Sequence, residues 1–114
     1  MAVRQIDLLQ GTLDLLILKS LFAAPNHGYG IAMRIHQLSD DVLRVEEGSL
    51  YPALYRMEDQ GLIESEWRTT ENNRRAKFYK LTRKGRSAGD AEVESWQRLS
   101  RAVTKVLRAI EQGA

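Results

Sequence analysis

The sequence predicts a mainly α-helical domain with one small β-hairpin, and three observations lead there. Apolar residues recur at three- and four-residue steps in four stretches of the chain. Between the third and fourth stretches lie β-forming residues split by a polar turn. The length of 114 residues, with 43% hydrophobic and 28% charged content, suits one domain able to bury its own core.

Residues 8–24 read as the first helix. Leu9, Leu13, Leu16, Ile17 and Leu21 recur along it, and Pro25-Asn26 ends the run. Leu8, Leu15, Leu18 and Phe22 spread apolar surface around the same cylinder. Such a helix needs more than one dry neighbour, and a second subunit is an expected source. His27-Gly28-Tyr29-Gly30 turns the chain into a second helix, from Tyr29 to Leu38, with Ile31, Ile35 and Leu38 inward. Ser39-Asp40-Asp41 breaks it, and Val42, Leu43 and Val45 form a short extended link.

The third helix runs from Glu47 to Gln60 and stops at Gly61, a residue suited to a left-handed C-terminal position. Leu50, Leu54 and Met57 face the core, leaving Ser49, Tyr51, Pro52, Tyr55 and Arg56 on the other side. Pro52 is expected to shape the entry turn, where a missing N–H costs least. Leu62 to Arg68 and Ala76 to Leu81 make the hairpin, with Thr69 to Arg75 as its turn and Thr82 as the cap of the next turn. The last helix, Ala88 to Gln112, carries Trp96, Leu99, Val103, Val106 and Ile110 at alternating steps of three and four, a heptad seam.

The formal charge of +2 hides an uneven distribution. From Arg68 to Arg86 eight bases stand against the acid Glu71, a net +7, while the rest of the chain, with nine bases and fourteen acids, carries −5. A basic strip on an acidic body fits a polyanion partner. Three helices followed by a basic hairpin make a winged helix–turn–helix, in which the third helix enters a major groove and the hairpin follows the backbone. Double-stranded DNA is therefore the expected partner. Ser49, Tyr51, Pro52, Tyr55 and Arg56 are the candidate contacts on the third helix. Asn73, Arg74 and Arg75 are candidates at the hairpin tip, with Lys77 behind them raising the local potential. Tyr29, opening the second helix, either reaches a phosphate or packs.

Four segments carry a family resemblance: His27-Gly28-Tyr29-Gly30-Ile31, Gly48-Ser49-Leu50-Tyr51-Pro52-Ala53-Leu54, Glu58-Asp59-Gln60-Gly61-Leu62-Ile63, and Tyr79-Lys80-Leu81-Thr82 with Gly85. Together they resemble the PadR-type transcriptional regulators, from roughly Leu9 to Gly85, with a short C-terminal helix after them. The resemblance implies a homodimeric repressor on an inverted-repeat operator, its dimer made by the last helix packing with the first. Leu13, Leu16, Trp96, Leu99, Val103, Val106 and Ile110 are the interface residues this implies. It also allows a small aromatic effector stacked on Trp96, weighed against Trp96 as plain interface core. Glu46-Glu47 departs from the pattern, since many relatives carry Ser or Thr there; carboxylates suit a helix N-terminus but repel phosphates, so they are expected to tilt toward solvent.

Residues 1–86 are expected to form the DNA-binding domain and 87–114 the dimerisation helix, within one unit. Without cysteine, disulfide scaffolds, thiolate metal sites and cysteine nucleophiles are excluded, and a cytoplasmic home is expected. The most apolar stretch, Leu13 to Phe22, carries Asp14 and Lys19 and falls short of the ~20 residues of a membrane span. No export signal is expected. His27 is expected to shape its turn and His36 to face solvent; with no metal-ligand spacing, nucleophile–base motif or phosphate loop, neither an enzyme nor a cofactor is expected. Two rival readings use the same surfaces: a winged-helix adaptor for an acidic protein, and an RNA-binding module.

Overall fold

Leucine and isoleucine at helical spacing decide where the core lies. The structure, a computed structural model, describes residues 4–113. Leu13, Ile17 and Leu18 of α1 (Gln10–Ser20), Ile31 and Ile35 of α2 (Gly28–Leu38), and Leu50, Leu54 and Met57 of α3 (Glu47–Asp59) close one apolar cluster. A two-residue strand precedes each of these helices: β1 (Ile6–Asp7), β2 (Asn26–His27) and β3 (Leu43–Arg44). β1 pairs in parallel with β3 and ties the chain's start to the link before α3.

The hairpin consists of β4 (Ile63–Thr69) and β5 (Arg75–Leu81), antiparallel from Ile63↔Leu81 to Thr69↔Arg75. β2 adds to the free side of β5, giving a sheet of order β2-β5-β4. One face of the hairpin carries Ile63 and Tyr79 into the core, and the same alternation continues outward through Trp67 and Lys77. This is a winged helix: a helical body with a small antiparallel sheet.

The fourth helix differs from its expected extent. α4 spans Arg83–Glu111, beginning at Arg83 rather than Ala88, because Thr82 accepts the Gly85 N–H at 3.0 Å and nucleates the helix there. Gly85 and Gly89 make that start hard to read as helical, yet both serve contact. A Cβ at Gly85 would stand 1.8 Å from the Leu62 carbonyl oxygen, and one at Gly89 2.7 Å from Phe22. The early part of α4 thus docks on α1, and Phe22 is flanked by Lys19 (3.9 Å from the ring centre) and Arg86 (4.7 Å). Much of the apolar surface of α1 is therefore covered by its own chain. α4 runs unbroken through residues 86–87, so the expected DNA-binding and dimerisation parts share one continuous helix.

Two further corrections concern side chains. His36 is half-buried rather than turned to solvent, with Nδ1 3.3 Å from the Leu43 carbonyl oxygen and Nε2 3.1 Å from Asp41. Leu13, expected at a subunit interface, is 1% exposed and enclosed within the core of its own chain.

Candidate nucleic-acid interface

α3 turns its apolar side inward by simple periodicity, so its opposite face is left to solvent. Ser49, Tyr51, Pro52 and Tyr55 are all exposed there. Pro52 is not in the first turn as expected: it is the sixth helical residue, so the Gly48 carbonyl loses its intrahelical donor. Glu46, the residue capping α3, hydrogen-bonds to Arg44, which also reaches Asp7 at 3.2 Å. This pairing draws the Glu46 carboxylate toward β1 and β3.

Tyr51 is seated by a glycine. The start of α2 is fixed when His27 Nδ1 accepts the Gly30 N–H at 3.0 Å. A Cβ on Gly28 would stand 2.9 Å from Tyr51 Cε1, so only a bare backbone lets that ring lie against the helix start. Tyr29 projects beside it, 64% exposed, its ring parallel to that of His27 at 6.5 Å. Across from these, Trp67 and Lys77 of the wing complete a cleft of about 390 Å³ that Tyr79 closes from below. The exposed face of α3, the start of α2 and the inner face of the wing thus meet in one groove.

The cations divide into two groups. Arg56 donates to Asp14 at 2.8 Å, and this bond raises its pKa against the opposing effect of partial burial; its side chain is held against α1. Lys77 donates to Glu58 at 3.2 Å, and the Ser65 hydroxyl donates to the same carboxylate. The Ser65 bond first, and then Lys77, hold the Glu58 carboxyl below the usual range against partial burial. Lys80 pairs with Glu64 at 3.3 Å and Arg68 with Glu66, while Lys84 caps the end of α3 through the Gln60 carbonyl at 2.8 Å.

Arg74 and Arg75, in contrast, enter no ion pair among the described residues. Their turn is held by its own backbone. The Thr70 N–H donates to the Arg74 carbonyl at 2.6 Å and the Asn73 N–H to the Thr70 carbonyl at 2.9 Å. Asn73 takes a left-handed φ of 57°, which Asn tolerates better than most residues. At the wing tip the basic strip therefore presents two arginines outside any ion pair among the described residues, on a braced turn.

Trp67 is the residue that sequence reading missed. It counted only as a β-former, yet it is 59% exposed, with the Arg75 guanidinium 5.6 Å from its ring centre. The alternation Ile63–Ser65–Trp67 was the available signal: it puts Trp67 on the inner face but beyond the reach of the core. At the other end of the molecule Trp96, Leu99, Val103, Val106 and Ile110 are all exposed, joined by Leu107, and Leu16 is half-buried between α1 and α2. Among the described residues, no His, Asp and Glu side chains gather to hold a metal, and no helix is long and apolar enough to cross a membrane.

Residues 17–91 match the transcriptional regulator PadR-like family. The chain belongs to the PadR-like family. Transcriptional regulator Rv3488 from Mycobacterium tuberculosis is 37% identical over 81 residues, covering 71% of this chain and 74% of that protein. A PadR-like transcriptional regulator from Bacillus cereus has the same fold (TM-score 0.73, 28% identity, 86% of this chain and 93% of that one). A PadR family regulator from hypervirulent Clostridium difficile is similar again (TM-score 0.72, 29% identity, 83% and 97%). This PadR-like chain is thus a transcriptional regulator of a family of non-enzymatic DNA-binding proteins. The matched segment ends before Trp96, so the projecting part of α4 lies beyond it.

Proposed function

We propose that this PadR-like protein is a homodimeric repressor that binds an inverted-repeat operator. The face of α3 bearing Ser49, Tyr51 and Tyr55 enters a major groove, and Asn73, Arg74 and Arg75 hold the adjacent backbone. Arg56 and Lys77 act through their carboxylate partners, by steadying α3 and the wing. The observation that carries the reading is the shared groove: recognition-helix and wing residues line one cleft, and the Arg75 guanidinium stands 5.6 Å from the ring of its Trp67 wall.

Dimerisation is assigned to α4, with α1 beside it. Six large apolar residues between Trp96 and Ile110 are exposed on a helix of 29 residues, about 43 Å long. Such a stripe calls for a second helix of the same kind. Two-fold pairing then sets the half-sites about 10 bp apart or a multiple of it. Repression follows from promoter occupancy in the cytoplasm. An aromatic effector at Trp96 acts only if it favours one spacing of the two recognition helices over another.

Selection of duplexes from a random pool by the purified protein tests the reading. An inverted repeat is expected among the enriched sequences, bound ~10³-fold or more above random duplex. Enrichment of structured RNA, or of nothing, overturns it.

A further inference from the structure

Resting on that DNA reading, we propose that Trp67 is a DNA-contacting residue: the groove between it, Tyr51 and Tyr29 holds one deoxyribose–phosphate strand, with sugars against the rings and phosphates toward the cations at the rim. Trp67 lies on the same face of the hairpin as buried Ile63 and Tyr79, yet the core stops short of it. Trp67 is more than half exposed and lines one cleft with the exposed rings of Tyr29 and Tyr51, and such a contiguous aromatic patch marks a binding surface. Arg75 stands over its ring at 5.6 Å, and Lys77, paired with Glu58 at 3.2 Å, faces it across the strands.

The occupant follows from complementarity. Tyr29 and Tyr51 offer rings and hydroxyls from one wall, Trp67 a ring from the other, and Arg74 and Arg75 lie at the outer end of the wing. Alternating apolar and cationic surface matches alternating sugar and phosphate. The groove also opens beside the exposed face of α3, so a strand lying in it borders the major groove that α3 reads. A free apolar ligand has no use for the unpaired arginines; a backbone strand uses both surfaces.

The Trp96→Phe protein, with Trp67 as its sole tryptophan, provides the test. Fluorescently labelled enriched duplex is titrated while duplex anisotropy and Trp67 emission are followed together. Rising anisotropy with quenched or shifted Trp67 emission at the same midpoint is expected. Rising anisotropy with unmoved emission overturns the role of Trp67 and leaves the DNA reading intact; flat anisotropy of every duplex with the parent protein as well as the Trp96→Phe protein overturns the DNA reading itself. Trp67→Ala is expected to weaken operator and random duplex alike by about tenfold with an unchanged salt slope, as loss of an apolar contact requires. Trp67→Phe is expected to recover most of that loss. A Trp67→Ala protein that melts like the parent and binds equally well contradicts the proposal.

Discussion

Arg74 and Arg75 leave a turn fixed by its own backbone bonds, and neither meets a carboxylate among the described residues. Each is free to neutralise a phosphate. Replacing both with Ala is expected to weaken operator and random duplex together and to flatten the dependence of log K on log salt by about 0.9 for each lost phosphate contact. Titrations at several salt concentrations check this; an unchanged slope argues that the wing tip is off the DNA. Tyr51→Ala is expected to act differently, narrowing the operator-to-random gap by about tenfold, because a residue on the recognition helix meets base edges as well as backbone. A glycine supplies the third expectation at this scale. Gly85→Ala drives a methyl onto the Leu62 carbonyl oxygen and is expected to destabilise the fold by about 1–3 kcal/mol, read as a lower Tm.

Among the elements, the wing and α3 are linked through Glu58, which receives Ser65 of β4 and Lys77 of β5. Its carboxyl is held below its usual pKa, so the link contributes stability above the unfolded-state value and loses it as pH falls through the depressed folded one. Glu58→Gln is accordingly expected to lower Tm at neutral pH and to make the drop in Tm on acidification smaller than in the parent. Melting curves across the acid range check the sign; a parallel pair of pH profiles contradicts it. Helix identity was legible in the sequence because Leu50, Leu54 and Met57, or Ile31 and Ile35, repeat at helical steps. The start of α4 was not, because Gly85 and Gly89 look like helix breakers until Leu62 and Phe22 are seen pressed against them. Charge partners were equally hidden. Asp14 lies forty-two positions from Arg56, and only the fold brings the two together.

On the scale of the whole molecule, a helical body with its wing at one side continues into a long helix whose outer part touches little of its own chain, and the longest dimension reaches 58 Å. The heptad seam announced that helix in the sequence, whereas the groove joining Tyr51 to Trp67 did not show there: it forms from three elements that only tertiary packing aligns. Leu99→Glu combined with Val103→Glu is expected to give a folded monomer with operator affinity reduced by about a hundredfold or more, since two linked half-sites no longer bind as one. Helical circular dichroism and sedimentation together check that the loss is of pairing and not of folding. The most direct measurement is the mass of the complex formed with an enriched duplex, by light scattering after size exclusion. Two chains per duplex, falling to none when one half of the repeat is scrambled at the same concentration, is the expected result. One chain per duplex, unaffected by the scrambled half, would contradict the account.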